Sequence, residues 1–339
     1  MNGNFAGGCS APDFILTRND SELVSAMPQN MAAGYFRTDC MPEVFYHKCA
    51  QYMAIKTLAP ELVFNGRCVN TLTELPRDVV KPMVIRPAFS PQSKGSALIV
   101  GGNDRPSMDD VIQQLRHYSG PFQLHDYEEG QPIFINGILS TGTLIISDMW
   151  RCITLPIGYR DILTAVINLS EKVLPEGLPQ QLAELAIGMG MLAGPLHIEL
   201  VLTADGPKIV KLTPRLASSP LPDLCQFGGW QSQQQLWQTK SCNIQHKPLI
   251  GYVADYSFIF LQAGCVKQFF FEKEVKALSS FSYYFMSPKI GQDVQTTIDG
   301  DTYGCTLFLF NNSLEILESE IAYLTTLNLK GAFHIESIK

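Results

Sequence analysis

The chain has 339 residues, of which 46% are apolar and 17% are charged. This balance excludes a mainly disordered chain, and the length predicts two or three cooperating lobes. The formal net charge of −7 argues against a nucleic-acid partner, because binding to a phosphate backbone needs clusters of Lys and Arg that no segment supplies.

The nine cysteines are scattered singly, without a CxxC pair or a Cys/His cluster. This pattern predicts reduced thiols and indicates neither a disulfide framework nor a zinc site. No run approaches the roughly 18 apolar residues of a membrane span, and the first residues lack a basic stretch followed by an apolar one. We therefore expect a cytoplasmic protein with no membrane partner.

The first half of the chain predicts helices and one hairpin. Residues 1–45 offer one short apolar run, at 14–16, and one helix-like stretch, so this piece must pack on another part of the chain. Residues 46–65 predict a helix that ends at a Pro-bounded turn. Two apolar runs, 83–85 and 97–100, flank a polar loop and predict a hairpin. Residues 107–118 begin with Ser before acidic residues and predict a capped helix.

The second half is richer in strands. Residues 121–156 predict an antiparallel meander, and a long helix is expected at about 177–193. Two strands joined by Asp205-Gly206 follow, which is the strongest short hairpin signal. Polar residues 226–245 predict a helix and then a boundary, and residues from 248 onward a strand-rich lobe that ends with a helix. Together these elements predict an α+β architecture with mostly antiparallel sheets.

Three features in a fixed order indicate a nucleotide site. A cationic strand end with a glycine loop comes first, then an acidic segment between strands, and then a hairpin with a Glu followed by Pro-Arg. A nucleoside triphosphate needs cations and backbone N–H groups at its phosphates, polar backbone at its base and carboxylates that hold Mg²⁺. The order supplies most of these parts.

On these features the chain resembles the ATP-grasp superfamily, and within it the L-amino-acid ligase type of carboxylate–amine ligase. The resemblance runs from about residue 40 to 335 and is carried by MVIRPAFSPQSKGSAL from Met83, HDYEEGQP from His125, GPLHIEL from Gly194 and IVKLTPRLA from Ile209. It implies an ATP-grasp fold with a truncated N-terminal Rossmann-like lobe at 1–45, a small lobe at 46–118, a large lobe at 119–245 and an appended C-terminal α+β lobe at 246–339. The truncated lobe further implies a homodimer or a partner subunit that covers an exposed sheet edge.

The resemblance also implies which residues form the site. The ATP phosphates would be held by two cations and a loop, namely Lys48, Arg86, Ser90, Ser93, Lys94 and Gly95. Asp126, Tyr127 and Glu128 would form the hinge at adenine. Glu199 would carry Mg²⁺, and Arg215 would stabilise the charge that develops on the reacting acyl group.

Four positions depart from the family pattern. Lys211 stands where relatives have a second metal-binding Glu, and Thr213 stands where they have an Asn. Pro132 and Asn136 stand where they have acidic residues. Because an ammonium repels a metal ion at short range, Lys211 should weaken or abolish binding of Mg²⁺.

Several of the candidate site residues also have a simpler, structural interpretation. Arg86 and its loop could be an exposed hairpin tip, and the acidic hinge could be a solvated turn. Glu199 is as compatible with an ion pair to Lys211 as with a metal, and Arg215 could cap a strand. His125 and His197 are more typical of structural histidines than of catalysts.

The resemblance implies an ATP-dependent ligase that phosphorylates a small carboxylate, such as an amino acid, to an acyl phosphate, which an amine then attacks to give an amide. The alternative is a catalytically impaired ATP-grasp protein that binds a nucleotide or another ligand, or that scaffolds a partner.

Overall fold

The computed structural model describes residues 14–89, 98–101, 107–158, 160–239 and 251–337. In these ranges the chain forms eight α-helices and fifteen β-strands, which confirms the α+β class. The helices are α1 Asp20–Ala32, α2 Lys48–Leu58, α3 Met108–Leu115, α4 Leu178–Gly188, α5 Leu221–Phe227, α6 Gln233–Thr239, α7 Glu272–Lys276 and α8 Leu314–Leu329. The strands are β1 Gly66–Val69, β2 Met83–Pro87, β3 Leu98–Val100, β4 Phe122–Asp126, β5 Gly130–Ser140, β6 Thr143–Ile157, β7 Arg160–Asn168, β8 Gly194–Thr203, β9 Gly206–Thr213, β10 Tyr252–Phe258, β11 Gly264–Phe269, β12 Phe281–Met286, β13 Asp293–Val294, β14 Cys305–Asn311 and β15 Phe333–Glu336.

The small lobe is a four-stranded sheet in the order β1, β4, β2, β3. The predicted hairpin is present, since β2 and β3 pair antiparallel. The helix α3 packs on this sheet, and it begins with the expected capping box, in which Ser107 and Asp110 bond to each other's backbone N–H groups. Strand β4 lies in this sheet and not in the meander that the sequence predicts, so the small sheet extends past residue 118. An apolar run does not indicate which sheet it joins.

The large sheet has eight strands in the order β12, β14, β10, β7, β6, β5, β8, β9. The meander is confirmed for β5, β6 and β7, and β8 and β9 form the predicted hairpin at Asp205-Gly206. Strand β10 pairs with β7, so the C-terminal part of the chain continues this sheet. Buried residues on both faces of β7 and β10 explain why the two strands join.

The N-terminal segment packs on the large sheet, as its small apolar content requires. Leu23 and Met27 of α1 are buried with Phe14 and Phe36 in the core that covers β5, β8 and α4. The side chain of Asn19 caps α1 by accepting from the backbone N–H of Glu22. This cap places Asp20 at the first position of the helix, next to β9.

The C-terminal part adds a three-stranded sheet, β13, β11 and β15, and the helix α8, which share a core with β10 and β14. The helix α8 has 16 residues. No helix in the described ranges combines the length and the hydropathy of a membrane span.

The outer edge of β9 is covered by side chains of the small lobe. Gln51 of α2 accepts from the backbone N–H of Leu212 at 3.0 Å and donates to the Leu212 carbonyl at 2.6 Å, so its amide acts as the next strand would. Arg86 donates to the carbonyl of Val210 at 3.0 Å. These bonds hold α2 and β2, which carry Lys48 and Arg86, against the edge of the large sheet.

Candidate nucleotide site

Lys48 is the first residue of α2, directly after His47, whose side chain caps the helix. Its backbone N–H donates to the carbonyl of Ala88 at 2.8 Å, which ties the helix start to the end of the strand that carries Arg86. Burial, and then the positive charges of Arg86 and Lys211, lower the pKa of Lys48 to about 7. Lys48 is therefore a largely buried amine with two further cations nearby.

Arg86 is buried on β2, with 5% of its surface exposed. Its guanidinium donates to the side-chain oxygen of Gln123 at 2.5 Å and to the carbonyl of Val210, and its Nε–H has no hydrogen-bond partner in the described part of the chain. Within the same ranges no carboxylate lies within 4.0 Å of the guanidinium. Burial lowers the pKa of Arg86 to about 10. The predicted exposed hairpin tip is therefore wrong for Arg86 itself.

Glu199 on β8 is the direct neighbour of Lys211 on β9. Its Oε1 lies 3.4 Å from Nε2 of His197. Burial alone would raise the pKa of Glu199, but the contact with His197 and the charges of Lys211 and Arg215 outweigh it and hold the pKa well below its usual range. Burial and the charge of Arg215 lower the pKa of His197 to about 4, so Glu199 carries the charge and His197 is neutral at pH 7.

His197 also connects Glu199 to a buried polar chain. Its Nδ1 lies 2.7 Å from Oδ1 of Asn136, whose Nδ2 donates to Asp148 at 2.5 Å. Ser147 and Trp150 donate to the same carboxylate. His197 is thus held in place from the side opposite Glu199.

Asp20 is a site residue that the sequence did not indicate. Its carboxylate accepts from Lys211 Nζ at 2.7 Å and 3.0 Å and from Arg215 Nε at 3.1 Å. Burial would raise the pKa of Asp20, but the charges of Lys211 and Arg215 outweigh it and lower the pKa. An ion pair between Glu199 and Lys211 was one of the two interpretations left open by the sequence; of the described carboxylates, Asp20 is the one within 4.0 Å of Lys211.

Arg215 lies just after β9 and is 6% exposed. Besides Asp20, it donates through Nη1 to the carbonyl of Leu216 at 2.8 Å. Electrostatic interactions connect it to Glu199 and His197, and connect Lys48 to Arg86, Lys211, Asp20 and Glu199. The structure therefore brings together the four central residues predicted from sequence, Lys48, Arg86, Glu199 and Arg215, and adds Asp20 and Lys211.

The predicted hinge joins β4 of the small sheet to β5 of the large sheet, so it lies where the chain passes from one sheet to the other. The backbone N–H groups of Asp126 and Tyr127 donate to the carbonyls of Asn65 and Pro82, both at 2.9 Å. Asn65 also donates to the Asp126 carboxylate at 2.8 Å. Glu128 follows in the same short connection. The predicted loop residues Ser90, Ser93, Lys94 and Gly95 lie outside the described residues.

Magnesium does not fit the described residues. In the described ranges no three Asp, Glu, His or Cys side chains are arranged to hold a metal ion. Asp20 is bound by two cations, and Glu199 lies beside Lys211. Two unit charges of the same sign 4 Å apart repel by about 4 kcal/mol near a protein surface, and a divalent ion next to Lys211 would meet a stronger repulsion.

Two other departures lie on strands of the large sheet. Thr213 pairs with His197 across the hairpin, and its hydroxyl donates to the His197 carbonyl at 3.3 Å. Pro132 on β5 faces Val201 of β8 in the strand register.

The sequence matches no protein-family model and no curated protein. Solved structures are similar in fold. An L-amino acid ligase from Bacillus licheniformis has a TM-score of 0.70 at 14% identity, over 94% of this chain and 79% of the other. An N5-carboxyaminoimidazole synthase from Aspergillus clavatus, in complex with ADP and 5-aminoimidazole ribonucleotide, has a TM-score of 0.59 at 10% identity, over 90% and 79% of the two chains.

A third similar structure is the biotin carboxylase domain dimer of the Hydrogenobacter thermophilus 2-oxoglutarate carboxylase, with MgADP, ADP and bicarbonate. Its TM-score is 0.53 at 12% identity, over 88% of this chain and 68% of the other. The chain thus has the same fold as these structures, the ATP-grasp fold.

Proposed function

We propose that the residues around Arg86, where the small sheet meets β8–β9, bind the phosphates of ATP. The observation that supports this most strongly is Arg86: a buried guanidinium with no described carboxylate within 4.0 Å and with an Nε–H for which the described residues supply no acceptor. A buried charge without a carboxylate in contact is costly, so such a site favours an anionic ligand. Lys48, tied to the end of the same strand through Ala88, supplies a second cation.

The hinge and the loop next to the phosphates would supply the remaining contacts of the nucleotide. The base would lie at the hinge, against Asp126, Tyr127 and Glu128, because this connection borders both sheets. The loop with Ser90, Ser93, Lys94 and Gly95 would contact the phosphates through its backbone N–H groups and the Lys94 ammonium.

Calorimetric titration of the full chain with ATP tests this proposal. We expect the variant Arg86→Met to raise the Kd for ATP by at least tenfold relative to the unmodified chain. Arg77→Met is the matched control, because Arg77 lies in the same lobe but forms an exposed ion pair with Asp109. If the two variants bound ATP equally well, Arg86 would not be part of the site and the proposal would be wrong.

Carboxylate–amine ligation is a second candidate function, favoured by Arg215 and Glu199 lying together beside the proposed phosphates. A carboxylate oxygen of the substrate would attack the γ-phosphorus of ATP and ADP would leave. The amine nitrogen would then attack the acyl carbon, phosphate would leave, and a proton would be lost from the nitrogen. Arg215 would stabilise the negative charge on the tetrahedral carbon, as an oxyanion-binding group does.

This second candidate has its own test. Release of phosphate from ATP should require both a small carboxylate, such as an amino acid, and an amine, and it should stop in Arg215→Met. If Lys211→Glu gains ATP hydrolysis while the unmodified chain has none, the chain is instead a nucleotide-binding protein that has lost catalysis. A homodimer or partner subunit remains a prediction, which analytical ultracentrifugation would test.

A further inference from the structure

The charges around the proposed phosphate site balance in an unusual way. When the basic side chains are protonated and the acidic ones ionised, the described residues supply four cations and two carboxylates, which leaves an excess of two positive charges. The cations are Lys48, Arg86, Lys211 and Arg215, and the carboxylates are Asp20 and Glu199. This excess equals the charge of one divalent cation. The cluster therefore already contains what an ion would contribute toward neutralising a triphosphate.

The position of Lys211 makes it the group that would take the place of such an ion. It is the β9 neighbour of Glu199, and its ammonium is held by both oxygens of Asp20, at 2.7 Å and 3.0 Å. Its side chain is 18% exposed, so it is well shielded from solvent. A charge fixed in this way costs little reorganisation when a phosphate arrives.

Resting on the proposed function, we propose that this cluster binds the nucleotide phosphates without a divalent cation, with the Lys211 ammonium in place of the metal. Asp20 fixes the position of that ammonium, as a ligating carboxylate would fix an ion. Free ATP carries two more negative charges than its magnesium complex, and the two excess positive charges of the cluster offset this difference.

The test is a calorimetric titration of the full chain with ATP, once in EDTA and once with excess Mg²⁺. We expect Mg²⁺ to leave the Kd unchanged within threefold or to raise it. A Kd that Mg²⁺ lowers by threefold or more would overturn this inference and leave the proposed ATP site standing. No binding under either condition would overturn both.

A pair of variants on β9 tests the role of Lys211 directly. Lys211→Met should raise the Kd for ATP in EDTA by at least tenfold. Lys208→Met is the matched control, because Lys208 lies on the same strand but is directed to the carbonyl of Glu61, and it should change the Kd by less than threefold. Equal effects of the two variants would overturn the assignment. If Lys211→Met does not fold, the comparison of EDTA with Mg²⁺ in the unmodified chain still decides.

Discussion

Asp20 and Arg215 form an ion pair across 195 residues of sequence, with 3.1 Å between Oδ1 and Nε. The same carboxylate binds Lys211, so one side chain at the start of α1 fixes two cations at the end of β9. The N-terminal segment is therefore part of the site as well as part of the core that covers the large sheet.

Asp20→Asn should lower the free energy of unfolding by about 3 kcal/mol, because it leaves two largely buried cations without their shared counter-charge. The measurement is urea denaturation at pH 7. Asp109→Asn is the control, since it breaks the exposed pair with Arg77 and should cost about 1 kcal/mol or less. A loss no larger than that of the control would show that the Asp20 pair contributes little.

Gln51→Leu should destabilise the chain by about 2 kcal/mol, because it leaves the N–H and the carbonyl of Leu212 without partners at a covered sheet edge. Gln180→Leu on the exposed face of α4 should change stability by about 0.5 kcal/mol or less. Thermal unfolding followed by circular dichroism compares the two. Similar melting temperatures would contradict the idea that Gln51 replaces a neighbouring strand.

The affinity for ATP should fall as the pH rises above 7, because in the protein without nucleotide Lys48 loses its proton near pH 7 and must regain it to bind a phosphate. The lowered pKa determines the direction of the pH dependence. Below this pKa Lys48 is already charged, and above it Lys48 must take up a proton when the nucleotide binds. The Kd should rise by about tenfold per pH unit between pH 7.5 and 9. Lys48→Arg stays charged in this range and should bind with a nearly constant Kd. An equal slope in both proteins would exclude Lys48 as its source.

Asn136→Asp should raise the pKa of His197 from about 4 toward its ordinary value of about 6.5, because a carboxylate beside Nδ1 favours the imidazolium. The pH titration of the imidazole signals by NMR measures this change. His47, which caps α2 away from Asn136, should keep its pKa and serves as an internal control. An unchanged pKa of His197 would mean that the two side chains are not in contact in solution.

Local patterns predicted much of the fold. The cap at Ser107 and the turn at Asp205-Gly206 were identified correctly, because each depends on residues a few positions apart. The assignment of β4 to the meander was wrong, because pairing of β4 with β2 depends on the position of a strand 35 or more residues earlier, as for Arg86 and Gln123 at 37 residues.

The candidate site was predicted only in part for the same reason. Lys48, Arg86, Glu199 and Arg215 belong to recognisable motifs. Asp20 belongs to none, and the signal around it, Asn19 followed by acidic residues, indicates a helix start and says nothing of partners 191 and 195 residues away. The edge contact of Gln51 with Leu212, at a separation of 161 residues, was missed on the same grounds.

A crystal structure of the full chain grown with ATP tests the central claim most directly. We predict phosphate oxygens about 3 Å from Arg86 Nε and Lys48 Nζ, with the base beside the connection from Asp126 to Glu128. A nucleotide bound elsewhere on the molecule, with Arg86 Nε still lacking an acceptor, would contradict it.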